Sequence, residues 1–490
     1  MTGSGPRSPR QLARMRASAA RMRSLGYDAT EPSQRRKPPS AVITSEDATL
    51  GRRKRDALIG AAQDVSRNFA VAAWAVRKHL DYVTEFDFHC RSGDDGFDDE
   101  FEALVREWSA PAAFDAAGRH GLDRFIRLIE ARQVLDGDAG CVFLSSGQVQ
   151  AIEGDRIRNP QHDGADWTHG VRTDVAGRAL AYCVNQRGAG GKGYTNPRSV
   201  SAEHLHLHAH FDRFDQVRGI SPIASGLNSL RDVYEGFEYG LGKLKVEQLF
   251  VMAIYRDAMF ALDGAEADRW SFAAPGDTNG PPAKPRYTMK LDAGPQLLDL
   301  NPGDKADFLK SDSPGANSRE FLMAILMVAL KALDVPYSFF DEAHTNFYGS
   351  VGAWRHYDRS CRPKRRNLAH VLQWWLRKRT QVAIVREGLK LPRGVSLARP
   401  FWEWVPSGMP WWDPSKEINA DLLAVTAGWA TPQAICKQRG GGDWYQNIDD
   451  IKHAREYAAN AGVSVAFDPQ SGASADDEHE QTRRGGSQWN

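Results

Sequence analysis

HLHLHAHFDRFDQVRGISP, residues 204–222, sits at the seam between two sequence patterns. Its first half alternates histidine with apolar residues, and Ser221-Pro222 closes it. In a strand, successive side chains point to opposite faces, so His204, His206, His208 and His210 share one face. Two imidazoles two residues apart on a strand can share a zinc ion, but a tetrahedral site needs ligands converging from several directions. One strand fans its ligands out along its length. The stretch therefore reads as a strand with one polar face, available for a subunit contact. A metal-dependent enzyme using the His204–His210 strand is the alternative.

Upstream of it the chain reads as short hairpins. CVFLSSGQVQAIEGDRI (141–157) is a β run, a Ser-Ser-Gly turn and a second run; GVRTDVAGRALAYCVN (170–185) repeats this around Ala-Gly. A small antiparallel sheet over 141–212 is expected, beside helices over 55–83, 100–107 and 121–135. Downstream of Pro222 the period changes. Leu227, Leu230, Tyr234, Phe237, Leu241, Leu244, Gln248 and Val251 are spaced alternately three and four apart, a heptad seam. Gly236, Gly240 and Gly242 interrupt this helix, each costing about 1 kcal/mol, which close approach of a second helix or a kink explains. Residues 261–316 are rich in Gly, Pro and Asp. Asn317 and Glu320 have capping-box spacing and open a second helix. It contains FLMAILMVAL (321–330), too short for a membrane span of about 20 residues and expected to be buried. A third helical stretch, from Val351 to about Val385, is dominated by Lys and Arg, with Asp358 its single acid. Pro363 is expected to kink or restart it. The region 414–461 reads as helical, with Thr431 as N-cap and Pro432 at the first helical position.

Composition sets the outer limits. The 490 residues are 41% hydrophobic and 26% charged, with net charge +1, enough for several domains with large cores. The balance is uneven: residues 1–55 carry thirteen Lys/Arg against four Asp/Glu, a net +9. That arm, and the polar tail 468–490, have the composition of disordered segments. The five cysteines form no CxxC pair, which argues against a disulfide framework or a cysteine zinc site and fits a reducing compartment. The N-terminus lacks the apolar core of a secretory signal.

Motifs of catalysis are missing. There is no GxxxxGK[ST], HExxH or GxSxG; GAGGKG (188–193) has GxGxxG spacing, but no strand-to-helix transition frames it. The glycine clusters 187–197 and 438–444 have loop character. Asp94-Asp95 and Asp98-Asp99 read as solvated turn acids. The residues lean away from an enzyme and toward architecture: two long helices around a Pro/Gly module, a short aromatic loop, then a basic helix. Head-to-tail copies of such a unit close into a ring when the rotation permits.

Five stretches in this order and spacing resemble the lambda family of phage portal proteins: VQAIEGDRI (149–157), GVRTDVAGRALAYCV (170–184), FDQVRGISPIASGLNSL (214–230), ALDVPYSFFDEAHTNFYGSVGAWR (332–355) and DPSKEINADLLAVTAGWATPQAICKQRGGGDW (413–444). The likeness runs from about Arg55 to Val465. It implies a mainly helical α+β portal fold. The expected parts are a basic disordered arm (1–54), wing (55–222), first stem helix (223–257), clip (258–316) and second stem helix (317–336). A tunnel loop (337–350), a long basic helix returning through the wing (351–413), a helical crown (414–466) and a disordered tail (467–490) follow. It also implies a non-enzymatic, typically twelve-membered ring at one capsid vertex of the virion, assembled in the bacterial cytoplasm. Double-stranded DNA would pass through it without sequence preference. The terminase large subunit, head-completion adaptors and major capsid protein would be its partners, with no membrane, metal or cofactor. The residues implied are Asn346, Tyr348, Gly349, Ser350 and Arg355 at the DNA channel, and Leu230, Tyr234, Phe237, Leu241 and Leu244 in the oligomer stem. The histidine strand becomes structural. A monomeric basic DNA-binding scaffold is the remaining alternative.

Overall fold

The computed structural model describes residues 43–160, 166–248, 252–256, 304–308, 316–341, 347–408 and 413–463. The fold is mainly helical α+β. Helix α1 (Arg52–Asn68) buries Arg55, Ile59, Ala62 and Val65, one stripe at helical spacing. Phe69 breaks it with an extended backbone, and α2 (Ala70–Val83) follows, burying Ala72, Ala75, Val76, His79, Leu80 and Val83. After β1 (Phe86–Cys90), α3 (Asp95–Trp108) is capped by Asp94, whose side chain accepts from the Phe97 amide. Asp98 accepts from the Ser92 amide at 2.9 Å, so the acids of this segment organise a helix start. Helix α4 (Leu122–Asp136) completes the helical layer.

Two three-stranded antiparallel sheets lie against it. One has the order β3-β2-β7 (Val149–Glu153, Asp138–Phe143, Leu205–Ala209); the other is β4-β5-β6 (Val171–Thr173, Ala179–Arg187, Tyr194–Ser201). Both expected hairpins form, and Gly147 and Gly177 occupy positive φ at their turns. The first sheet packs on the helices through Ala139, Cys141 and Val149; the second closes a satellite core of Ile152, Ile157, Tyr182 and Val184.

Helices α5 (Leu227–Gln248) and α6 (Ala316–Leu330) run antiparallel. A Cβ on Gly226 would meet Ala329 and Ala332 at 3.0 Å, and one on Gly236 would collide with Leu322. Close approach therefore accounts for Gly236, while Gly240 and Gly242 face open space. The first stem helix is shorter than expected. Residues 252–256, read as its end, form β8 (Met252–Arg256), paired antiparallel with β9 (Asp304–Phe308). Ile254 and Tyr255 suit a strand, and a ladder partner some fifty residues on overrides the helical register. The rest of the expected clip lies outside the described residues. FLMAILMVAL is not wholly buried. Leu326 and Leu330 are, but Phe321 and Val328 are each 66% exposed. Periodicity marks a helix as apolar without saying how much of it one chain can cover.

Helix α7 (Phe347–Val382) is 36 residues long, about 54 Å at ~1.5 Å per residue. It does not restart at Pro363. Tyr357, Cys361, Leu368, Leu372 and Trp375 are buried on both sides of the proline, and this packing holds the helix on one path. The chain then returns as β10 (Trp402–Pro406), a strand within the span expected to be helix, paired antiparallel with β1. Helices α8 (Pro414–Thr426), α9 (Pro432–Arg439) and α10 (Trp444–Asn460) follow, with Asp413, Thr431 and Asp443 as their N-caps. The expected N-terminal arm also needs shortening. Residues 46–49 form a helical turn, Asp47 accepts from the Val217 amide at 3.0 Å, and α1 already starts at Arg52. Glu46 and Asp47 supply the acids that dock this part of a basic arm. Residues 1–42 and 464–490 lie outside the described residues.

Candidate functional site

The segment that opens the sequence reading ends in a buried charge cluster. Arg218 is 1% exposed and Asp138 is fully buried. Arg218 reaches Asp138 through Nε (2.7 Å) and Nη2 (2.6 Å), a bidentate fork. It also donates to the carbonyls of Gly154 (2.6 Å), Ile157 (2.8 Å) and His169 (2.8 Å). Asp138 further accepts from Arg55 of α1 at 2.9 Å and from the Gly219 amide at 2.9 Å. Burial alone would push the Asp138 carboxyl up, but the charges of Arg218 and Arg55 outweigh it and hold it down. Burial pulls Arg55 down to about 10, with Arg218 acting the same way and Asp138 opposing. The glycine after Arg218 is required by contact. Gly137, at φ +94°, and Gly219 touch backbone to backbone, and a Cβ on Gly137 would sit 2.7 Å from the Gly219 carbonyl oxygen. Arg218, Asp138 and Arg55 thus together tie α1, both sheets and the entry to α5.

The histidines do not form an open polar face, and they do not converge. His208 is 1% exposed, and its Nε2 donates to Glu130 of α4 at 2.7 Å. His79 of α2 donates to the other Glu130 oxygen at 2.8 Å. Burial would raise Glu130, yet these two hydrogen bonds hold it at about 2. His206 packs on Trp374 of α7, and burial beside His208 and His370 pulls it down to about 4. His210 faces Asp212 at 3.2 Å, and His204 is exposed. The strand turns its histidines onto the helical layer because that layer supplies their partners, Glu130 and Trp374. Among the described residues no group of three or more His, Cys, Asp or Glu is placed to hold a metal ion.

The residues expected in the oligomer stem divide by depth. Leu230 is 2% exposed, and Tyr234 is half-buried with its ring 5.6 Å from Phe69. Phe237 and Leu241 are 42% and 53% exposed. Leu244 lies where side chains are not described. Phe321 and Val328 of α6 are each 66% exposed as well, so among the described residues both helices carry exposed apolar side chains.

The expected channel residues are less loop-like than the sequence suggests. Asn346 lies outside the described residues. Tyr348, 82% exposed, begins the first turn of α7 together with Gly349 and Ser350. Val351, Trp354 and Tyr357 turn inward at helical spacing, and the Trp354 indole donates to the Tyr82 hydroxyl at 3.0 Å, so the helix extends back through this turn. Arg355 reaches Glu417 of α8 at 3.2 Å while staying 61% exposed. Further along α7, Lys364 pairs with Asp334 at 2.8 Å and Arg365 with Asp358 at 2.7 Å, so these cations are matched within the chain. Arg355, Arg359, Arg362 and Arg366 instead form an exposed stripe on one face, spaced four, three and four apart. Sequence reasoning missed Asp138 and Glu130, which carry no local motif. Their only signal is that each is an acid inside an apolar run, a position that demands a partner.

The profile of the phage portal protein, lambda family, matches residues 34–348, nearly two-thirds of the chain. The chain is similar to structures described as the virion of a native gene transfer agent (GTA) particle, the neck of the native GTA particle computed with C12 symmetry, and the neck of the empty GTA particle computed with C6 symmetry. Each likeness has 15% identity and a TM-score of 0.47, covering 78% of this chain and 91% of the other. No curated protein matches.

Proposed function

We propose that this chain, which belongs to the lambda family of phage portal proteins, is the subunit of a ring at one capsid vertex through which double-stranded DNA enters and leaves the head. The observation that supports the ring is the set of exposed apolar side chains on α5 and α6. Phe237, Leu241, Phe321 and Val328 lie exposed on two adjacent helices, and large apolar side chains exposed together in this way mark an interaction surface. Covering it with a different face of a neighbour makes a heterologous, head-to-tail contact, and such contacts close into a ring when the rotation permits. No described helix is long and apolar enough to cross a membrane.

The chemistry asked of the bore is restraint. Each neutralised phosphate adds salt-dependent affinity, and a tight grip would stall a moving duplex. Tyr348, Gly349 and Ser350 in the first turn of α7, with Asn346 just before them in sequence, offer polar contacts blind to base sequence. Arg355, part-neutralised by Glu417, offers a muted cation. The ring acts as conduit and docking platform rather than catalyst. Terminase binds during packaging, head-completion adaptors afterwards, and the major capsid protein grips its rim. Negative-stain imaging and native mass measurement of the purified chain test this reading. Closed rings, typically of twelve, are expected; a monomer at micromolar concentration overturns it.

A further inference from the structure

A cavity of about 440 Å³ opens between α7, the β1–β10 pair and α9, lined by Arg362, Arg365, Arg366, Trp404 and Lys437 among others. Its acids are Asp358 and Glu403. Asp358 accepts from Arg365 at 2.7 Å and from Arg362 at 3.2 Å, and Glu403 accepts from Lys437 at 2.5 Å. Four cations over two anions leave the groove at +2. Arg362 is 61% exposed, and Arg366 has no partner among the described residues. The Trp404 side chain is buried, and its indole nitrogen, which can only donate, has no acceptor there. The groove thus combines an apolar floor with surplus guanidinium charge. A concave site of this size takes a few side chains. It suits a short carboxylate-rich peptide better than a duplex, whose phosphates lie on a convex surface.

The chain carries such a peptide. Beyond Val463 it continues for 27 residues, and DDEHE occupies 476–480. Helix α10 starts beside the groove: Arg91 bridges Glu403, on the groove wall, and Asp443, the α10 cap. The 17 residues of α10 carry the chain about 25 Å away at ~1.5 Å per residue. The stretch from Val463 to Asp476, extended at roughly 3.3 Å per residue, spans about 43 Å, enough to return. We propose that Asp476, Asp477, Glu478 and Glu480 dock in this groove, their carboxylates on Arg362 and Arg366. The tail then covers two arginines of the exposed α7 stripe and competes with any phosphate for them.

Zero-length carbodiimide coupling of the full chain, read by peptide mass spectrometry, tests this. Lys437 should yield two products, one with Glu403, which reports that the lysine is reactive and the groove folded, and one with an acid of 476–480. In Arg362→Glu/Arg366→Glu the tail product should be lost and the Glu403 product retained. Coupling of Lys437 to Glu403 alone in the unaltered chain overturns the proposal, as does a tail product unchanged by the double substitution. Absence of the tail product, together with binding of a duplex oligonucleotide that the double substitution abolishes, overturns it in favour of nucleic acid.

Discussion

Replacing Arg218 by Met removes five hydrogen bonds from the protein interior while keeping an unbranched side chain of similar length. Three main-chain carbonyls, at Gly154, Ile157 and His169, lose this donor. The Gly154 carbonyl still accepts from the Ile157 amide at 3.2 Å; each of the other two, left unpaired, costs about 1–3 kcal/mol, so the gross loss is about 2–6 kcal/mol. Relief comes from no longer burying a second guanidinium, worth several kcal/mol. Asp138 keeps Arg55 and the Gly219 amide, so its charge stays matched one to one. The net expectation is about 3–5 kcal/mol of destabilisation, typical of a buried pair that loses one partner. Against the roughly 5–15 kcal/mol that holds most domains folded, this is a large share. The control is Arg127→Met, whose partner Asp81 is 2.6 Å away but whose side chains are 38% and 41% exposed. Exposed pairs of this kind are worth about 0–1 kcal/mol. Urea unfolding of both variants, followed by tryptophan fluorescence, gives the comparison. Arg218→Lys should fall between them, since it keeps the charge and loses the fork. If Arg218→Met lies within ~1 kcal/mol of the Arg127→Met control, the cluster does not tie α1 and the two sheets together and the reasoning fails.

Three further outcomes follow from the same geometry. Glu130 sits at about 2 against an ordinary 4.5, so it adds stability above 4.5 that is lost as the pH falls from there toward 2; Glu130→Gln should flatten that acid limb of the stability curve, and an unchanged limb would remove the two histidines as its cause. The seam should behave differently at its two ends: Leu230→Ala should cost the fold about 2–5 kcal/mol, while Leu241→Asp should leave monomer unfolding nearly unchanged and abolish rings on native gels. Normal rings from Leu241→Asp would show that neighbours do not cover α5. Tyr348→Ala with Asn346→Ala should fold and assemble normally, Tyr348 being 82% exposed, yet give empty or unstably filled heads in a packaging assay; wild-type genome retention would remove these residues from the bore.

What the sequence made legible was local. The hairpins around Gly147 and Gly177 were readable because a turn needing positive φ announces itself by its glycine, and the start of α9 because Thr431-Pro432 is a cap in itself. Contacts that depend on a distant partner were not. His208 looks like a surface residue until Glu130, 78 positions away, is beside it. The end of α5 was hidden because its heptad spacing continues past Gln248 while β9, far along the chain, captures residues 252–256 as a strand. The half-covered state of FLMAILMVAL was hidden for another reason. An apolar stripe looks the same whether its cover comes from the same chain or the next one.

The pairing of β1 with β10 also sets a timetable. Cys90 lies against the Phe401 carbonyl, 311 residues later in the chain. Phe88 and Phe101 rest on Trp404 of that late strand and on Phe401 just before it. At roughly 5–20 residues per second of synthesis, the early half waits about 15–60 s for its last wall. During that interval β1 is an unpaired edge and the aromatic faces around Phe101 are wet, a state that invites association with any nascent neighbour. The subunit therefore cannot mature from its N-terminus forward. It becomes competent in one late step, when translation has passed residue 406, and a chain stopped short of that point would be material for aggregation rather than a slower-assembling subunit.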